Sequence, residues 1–128
     1  MSDRTTDAQS VVDAFVKAWE RNDPDEIIAL FADDAVWYDS VPSEPYRGRD
    51  AILPILQRYA RHISDVTIEV VNQAVNGDVV FQERIDRGIR NGKPFAVEAV
   101  CVFRVVDGKI VENRDYWSPA AYMKKPTP

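Results

Sequence analysis

The chain has 128 residues, of which 45% are hydrophobic and 29% charged, enough for one domain with a single buried core and one pocket. A formal charge of −5 with a pI near 4.8 leaves no basic patch for nucleic acid or for an anionic membrane surface. The lone cysteine, Cys101, excludes an intramolecular disulfide. The polar stretch from Met1 to Ser10 does not read as a signal peptide, no apolar run reaches membrane-spanning length, and a cytosolic protein is the expectation.

In chain order, Val11, Val12, Phe15, Val16 and Trp19 recur at helical spacing behind Thr6 or Asp7 as caps, and Asn22-Asp23-Pro24 ends this first helix. Pro24 suits the opening position of a short second helix with Ile27, Ile28, Leu30 and Phe31 as its apolar face, stopped by Asp33-Asp34. Ala35 to Ser40 reads as a strand and Val41 to Gly48 as a proline-containing loop. Asp50 to Ile63 reads as a third helix whose Pro54 must lie in its first turn or kink it. Four strands follow, at about Val66 to Val75, Val79 to Arg90, Lys93 to Val106 and Lys109 to Trp117. Their turns are Asn76-Gly77-Asp78, Asn91-Gly92 and Asp107-Gly108. Helices lead and an antiparallel sheet trails, which is an α+β plan with a cavity expected between the two. The whole of 1–128 forms one domain on this reading, with about 1–7 and 124–128 flexible.

The chemistry concentrates in two strand segments, Glu83-Arg84-Ile85-Asp86 and Arg114-Asp115-Tyr116-Trp117. Alternate strand residues share a face, so Arg84 and Asp86 point the same way. A two-residue Asn91-Gly92 turn sets Arg84 opposite Ala99 and Asp86 opposite Val97. A three-residue loop at Val106-Asp107-Gly108 then sets Cys101 opposite Asn113 and Ala99 opposite Asp115, placing Arg84, Ala99 and Asp115 in one row. A two-residue loop there would instead put Asp115 opposite Val100, on the other face. On a solvated face such charges would be worth little. Here they share a face with Phe95, Val97, Ala99, Cys101, Phe103 and Val105, which is continuously apolar and should be covered, so the charges must pair. Val111, Asn113, Asp115 and Trp117 share the neighbouring face.

With the residues Glu83 to Asp86, Cys101-Val102-Phe103, Gly108-Lys109-Ile110 and Arg114 to Trp117, the C-terminal half resembles limonene-1,2-epoxide hydrolases. The wider likeness is to the nuclear transport factor 2-like and SnoaL-like superfamily. That resemblance implies a cone-shaped fold, three N-terminal helices on a curved mixed or antiparallel sheet enclosing a pocket. It also implies a homodimer that uses no cofactor and no metal. The implied activity is one-step addition of water to a small apolar epoxide, terpenoid, alicyclic or aryl, to give a vicinal diol. Asp86 would protonate the epoxide oxygen, Asp115 would activate water and Arg84 would bridge them.

The N-terminal half, including Leu30 to Ala35 and Ser43-Glu44-Pro45, resembles ketosteroid isomerases, and there Asp39 falls on the proton-shuttling aspartate. The isomerase's enolate donors are replaced by Phe15 and Cys101, which removes the largest catalytic term of that reaction. An isomerase or polyketide cyclase working through Asp39 is the second reading, and a non-catalytic small-molecule-binding domain is the third. The hydrolase family holds its water with a tyrosine and an asparagine two apart on the first strand. Here these become Trp37 and Asp39 in an ungapped register, or Tyr38 and Ser40 when aligned on Pro42, and the two pairs lie on opposite faces. Trp19, Trp37, Tyr59, Ile63, Val97, Trp117 and Tyr122 are candidates for an apolar wall, with Gly88 and Ala99 small beside it. His62 reads as a surface residue and Cys101 as a small buried hydrophobe. Dimerisation is expected through the outer sheet face bearing Glu83, Glu98, Val102 and Arg104.

Overall fold

The computed structural model describes residues 4–118, with side chains from residue 8 onward. Helix α1 spans Arg4–Glu20, α2 Pro24–Ile28 and α3 Arg49–His62, and the strands are β1 (Phe31–Tyr38), β2 (Tyr46–Arg47), β3 (Ile63–Asn76), β4 (Val79–Arg90), β5 (Lys93–Val106) and β6 (Lys109–Tyr116). The stretch 1–7, expected to be flexible, contains the opening turn of α1 from residue 4, while 1–3, 124–128 and Tyr122 lie outside the described residues.

Helix α1 buries Ala8, Val12, Phe15, Val16 and Ala18, the stripe that its apolar spacing dictates. The Asp23 carboxylate caps α2 by accepting from the Asp25 and Glu26 amides, and Pro24 occupies a first-turn position where a missing N–H costs nothing. This helix is one turn shorter than the apolar spacing suggests. Phe31, read as helical, opens β1 because burial of Phe31, Ala35 and Trp37 against β6 rewards an extended chain. Pro54 is inside α3, the sixth residue of the helix. The two-residue β2 in the proline-containing loop carries no sequence signal of its own, since a two-residue strand shows no periodicity.

The six strands form one mixed sheet in the order β2-β1-β6-β5-β4-β3, with β1 parallel to β6 and every other pairing antiparallel. The α+β plan with three helices therefore holds, and the expectation of a cone-shaped sheet curled around a pocket does not. The sheet is open. Its edges are β2 and β3, which pair with one neighbour each, and α3 spans the chain between them. The two-residue β2 offers no ladder on which β3 could close the sheet. Among the described residues, helices cover one face of the sheet, with α1 against β3, β4 and β5, and α3 against β1, β2 and β3. Phe15 of α1 meets Phe31 and Phe103 edge-on at ring separations of 5.4 Å, which sets the core at this helix-sheet interface.

Candidate active site

The β4–β5 hairpin has the register that its turn predicts. Asn91 and Gly92 have φ of 50° and 81°, as a type I′ turn requires, and Arg84 lies opposite Ala99 with Asp86 opposite Val97. The β5–β6 hairpin differs from expectation. Asp107 and Gly108, with φ of 51° and 75°, form a two-residue turn with Val106 opposite Lys109, and the pairing then slips by one residue between Arg104 and Val105. Val111 is the extra residue of that bulge. It returns Asp115 to the inner face, opposite Cys101 rather than Ala99, and Asn113 opposite Phe103. Asp115 therefore sits in the row of Gln82 and Cys101, one step diagonal to Arg84. The two-residue turn also sets Ile110 inward opposite Val105, fully buried, in the place expected for Val111.

A cavity of about 90 Å³ lies between the helices and the inner sheet face. Arg84, Asp86 and Asp115 line it together with Trp37 and Asp39; Tyr38 and Ser40 do not. Tyr38 stands under the Arg114 guanidinium, 5.6 Å from its ring centre, and Ser40 Oγ donates to the Trp117 carbonyl at 3.2 Å. Of the two first-strand pairs, Trp37 and Asp39 face the cavity, so among the described residues the site holds three carboxylates. Phe15, Trp19, Tyr59, Phe95, Ile63, Val97 and Trp117 supply the apolar wall. Gly88 does not widen it: a Cβ there would meet the Phe95 ring and the Ser64 carbonyl at 2.9 Å, so Gly88 seats Phe95.

Arg84 is only 6% exposed. Its Nε lies 2.9 Å from Asp86 Oδ1 as a charge contact without hydrogen-bond alignment, and its Nη2 donates to Asp86 Oδ2 at 3.1 Å. Behind it Gln82, itself buried, donates to Gln73 at 2.8 Å. Burial works against the Arg84 charge, and the negative groups around it, Asp86 and Asp115 among them, more than offset this and raise its pKa.

Asp115 gathers donors. Trp37 Nε1 donates to its Oδ2 at 2.9 Å and Asn113 Nδ2 to its Oδ1 at 2.9 Å, and the Cys101 thiol also hydrogen-bonds to it. Burial still dominates and pushes the Asp115 carboxyl above the ordinary range, against the pull of Arg84 and these donors. The Cys101 thiol is itself raised well above its ordinary value by burial, which keeps it a neutral donor. Asp39 accepts from the Tyr59 hydroxyl at 2.6 Å, and its carboxyl is pushed up to about 6, chiefly by burial.

Asn113 and Tyr59 carry polar contacts that the sequence reading did not assign. Asn113 was legible only as a polar residue on an apolar face, and Tyr59 only as an aromatic on a helix. Among the described residues no group of three His, Cys, Asp or Glu side chains could hold a metal ion, and no helix is long and apolar enough to cross a membrane.

Comparison with known proteins follows the same lines. The uncharacterized protein YesE of Bacillus subtilis (strain 168) is 32% identical over 76 residues, a match covering 56% of this chain and about half, 52%, of that relative. A solved structure of an LEH-like epoxide hydrolase from M. tuberculosis superposes with a TM-score of 0.81 at 28% identity, covering 93% of this chain and 88% of that one. A hypothetical protein with a ketosteroid isomerase-like fold from Catenulispora acidiphila DSM 44928, solved in complex with trimethylamine, superposes with a TM-score of 0.78 at 27% identity over 87% of each chain. A family profile described as the SnoaL-like domain matches residues 12–113, and the chain belongs to that family.

Proposed function

We propose that this protein is a cofactor-independent epoxide hydrolase that adds water to a small apolar epoxide, terpenoid, alicyclic or aryl, and releases a vicinal diol. The observation that carries this reading is one buried guanidinium, Arg84, beside two aspartates in a cavity walled largely by aromatic and aliphatic side chains. The likeness to an LEH-like epoxide hydrolase supports it. Epoxide opening takes a proton from water and delivers one to the departing oxygen in the same event, so one carboxyl must be ionised and another protonated. In this reading Asp115 accepts the proton of the attacking water, Asp86 protonates the epoxide oxygen, and Arg84 holds the pair in register. Burial raises the basicity of Asp115, and the Trp37 and Asn113 hydrogen bonds aim its carboxylate. The test is incorporation of ¹⁸O from labelled water into diol from limonene oxide, cyclohexene oxide and styrene oxide. Asp86→Asn and Asp115→Asn should each lower kcat at least a hundredfold, and unimpaired hydrolysis by either would remove the mechanism.

A second reading, an isomerase or cyclase using Asp39 as base, is favoured by the carboxyl of Asp39 standing near pH 6 at the cavity wall and by the isomerase-like fold of a solved relative. Against it, Phe15 and Cys101 stand where enolate donors would be needed. It requires solvent deuterium exchange next to a substrate carbonyl. For the partner we propose a second copy of the chain: Phe81, Val100 and Tyr116 are more than 40% exposed on the sheet face opposite the helices, and sedimentation of the purified protein should give a dimer.

A further inference from the structure

Asp39 is the third carboxylate of the cavity; it stands where the hydrolase resemblance implies a water-holding asparagine, and the hydrolase roles given to Arg84, Asp86 and Asp115 do not use it. A water that attacks carbon presents a lone pair to it and must rest its two hydrogens on acceptors. Asp115 can accept one. Trp37 Nε1 is a donor only and is already committed to Asp115 Oδ2, the Cys101 thiol likewise turns its hydrogen to Asp115, and Tyr38 and Ser40 do not line the cavity. Asp39, on the same wall, is the cavity carboxylate without another role in the step and can accept the other.

Its placement is tightly held from two elements. On the backbone side, Trp117 Nε1 donates to the Asp39 carbonyl at 2.5 Å. On the side-chain side, the Tyr59 hydroxyl of α3 donates to Oδ2 at 2.6 Å, the short O–H···O distance of a bond to a charged acceptor. This contact occupies Oδ2 and leaves Oδ1 for the cavity. The charged and titratable groups around Asp39 are Tyr59 and Arg58 of α3, Asp115 of β6 and, across the cavity, Arg84 and Asp86 of β4 and Cys101 of β5.

We infer that Tyr59 is a positioning residue of this site: it fixes Asp39 so that Oδ1 accepts the second hydrogen of the attacking water, and it makes that water site competent only while Asp39 is ionised. The inference rests on the hydrolase reading. When Asp39 takes up a proton, Oδ2 already faces the tyrosine hydrogen, so the proton goes to Oδ1 and turns the acceptor into a donor. In the reaction itself the water hydrogen on Asp115 is transferred, the new C–O bond forms as the epoxide C–O bond breaks, and the Asp86 proton completes the alcohol. Asp39 neither gains nor loses a proton in that step. Burial raises the Asp39 carboxyl to about 6, while the Tyr59 hydrogen bond and Arg58 pull it down and Asp115 pushes it up. Activity should therefore rise with pH through about 6, and removing the tyrosine hydroxyl should move that rise upward.

The experiment pairs pH profiles of diol formation with ¹³C NMR titration of aspartate carboxyls in the wild type, Tyr59→Phe, Asp39→Asn and Asp39→Ala. In the wild type, kcat should fall below pH 6 with KM little changed, alongside a carboxyl resonance titrating near 6 that Asp39→Asn removes. Tyr59→Phe should shift both the limb and the resonance up by about one pH unit. Asp39→Asn, whose amide oxygen still accepts, should remove the part of the limb that titrates with Asp39, leave only the fall set by Asp115, and exceed Asp39→Ala at least tenfold. A limb unmoved in Tyr59→Phe, or equal rates in the two Asp39 variants, overturns the inference. A wild type that forms no diol removes the hydrolase reading and with it the water-holding role. The Tyr59–Asp39 coupling is then decided by the resonance alone, and an Asp39 carboxyl that Tyr59→Phe does not move sinks it.

Discussion

The two hairpins that build the site are made from the same kind of turn and differ by one residue. Asn91-Gly92 and Asp107-Gly108 both take positive φ at both central positions, and both close two-residue loops. From the first, β4 and β5 run in uninterrupted register to Arg84 and Asp86. From the second, β5 and β6 stay in that register only to Ile110, where Val111 is squeezed out as a bulge. Were Val111 paired in the ladder instead of bulged out, Asp115 would stand opposite Val100 on the exposed face. A regular ladder can carry two charges on one strand to a cavity, but bringing a third from the next strand to the same face took a deliberate irregularity.

The largest expected break in this comparison is insertion of one residue between Val111 and Glu112. With the single-residue bulge kept, the insertion moves Asn113 and Asp115 one step along β6 and off the inner face. Diol formation should disappear and the unfolding midpoint in urea should drop by the equivalent of about 3 kcal/mol or more, because two polar inner-face residues lose their partners. Deletion of Val111 alone, which leaves a regular two-residue hairpin with Asp115 still opposite Cys101, should preserve both.

Next in size is Arg84→Met, which leaves the regular hairpin intact and removes the cation between the carboxylates. Stripping one partner from a buried ion pair costs about 3 kcal/mol, somewhat less here because Asp86 is 25% exposed. Arg84 lowers the Asp115 carboxyl in the folded protein, so its loss raises that pKa further above the unfolded value. The folded state then binds more protons, and the deficit should shrink as pH falls. Urea titrations at pH 5 and 7.5 measure this, and a deficit independent of pH would mean that packing, not charge, was lost.

The smallest effect is expected near the turn of the first hairpin. Gly88→Ala drives a methyl against the Phe95 ring and the Ser64 carbonyl, and only the ring can yield. Stability should fall by about 1 kcal/mol, and KM for an aryl epoxide should rise a few-fold with kcat nearly unchanged, since Phe95 is wall and not machinery.

Local chemistry in the sequence determined much of this molecule. The alternation of β4 and β5 and the Asn91-Gly92 turn were sufficient to pair Arg84 with Ala99 and Asp86 with Val97, because a type I′ turn leaves no freedom in register. Asp23-Pro24 likewise marked the start of α2 through a cap that acts within three residues. What exceeded that range was decided by tertiary structure. The Val111 bulge has no glycine or proline signature and exists because Ile110 and Asn113 are both taken into the core. The parallel pairing of β1 with β6 joins segments some eighty residues apart, turning Trp37 and Asp39 inward and Tyr38 outward. The Tyr59–Asp39 contact needs α3 laid across the end of that strand. An open sheet in place of a closed cone follows from a two-residue edge strand that only the folded neighbours define. Turns and caps are energies of adjacent residues; bulges, parallel partners and edges are settled by what the rest of the chain covers.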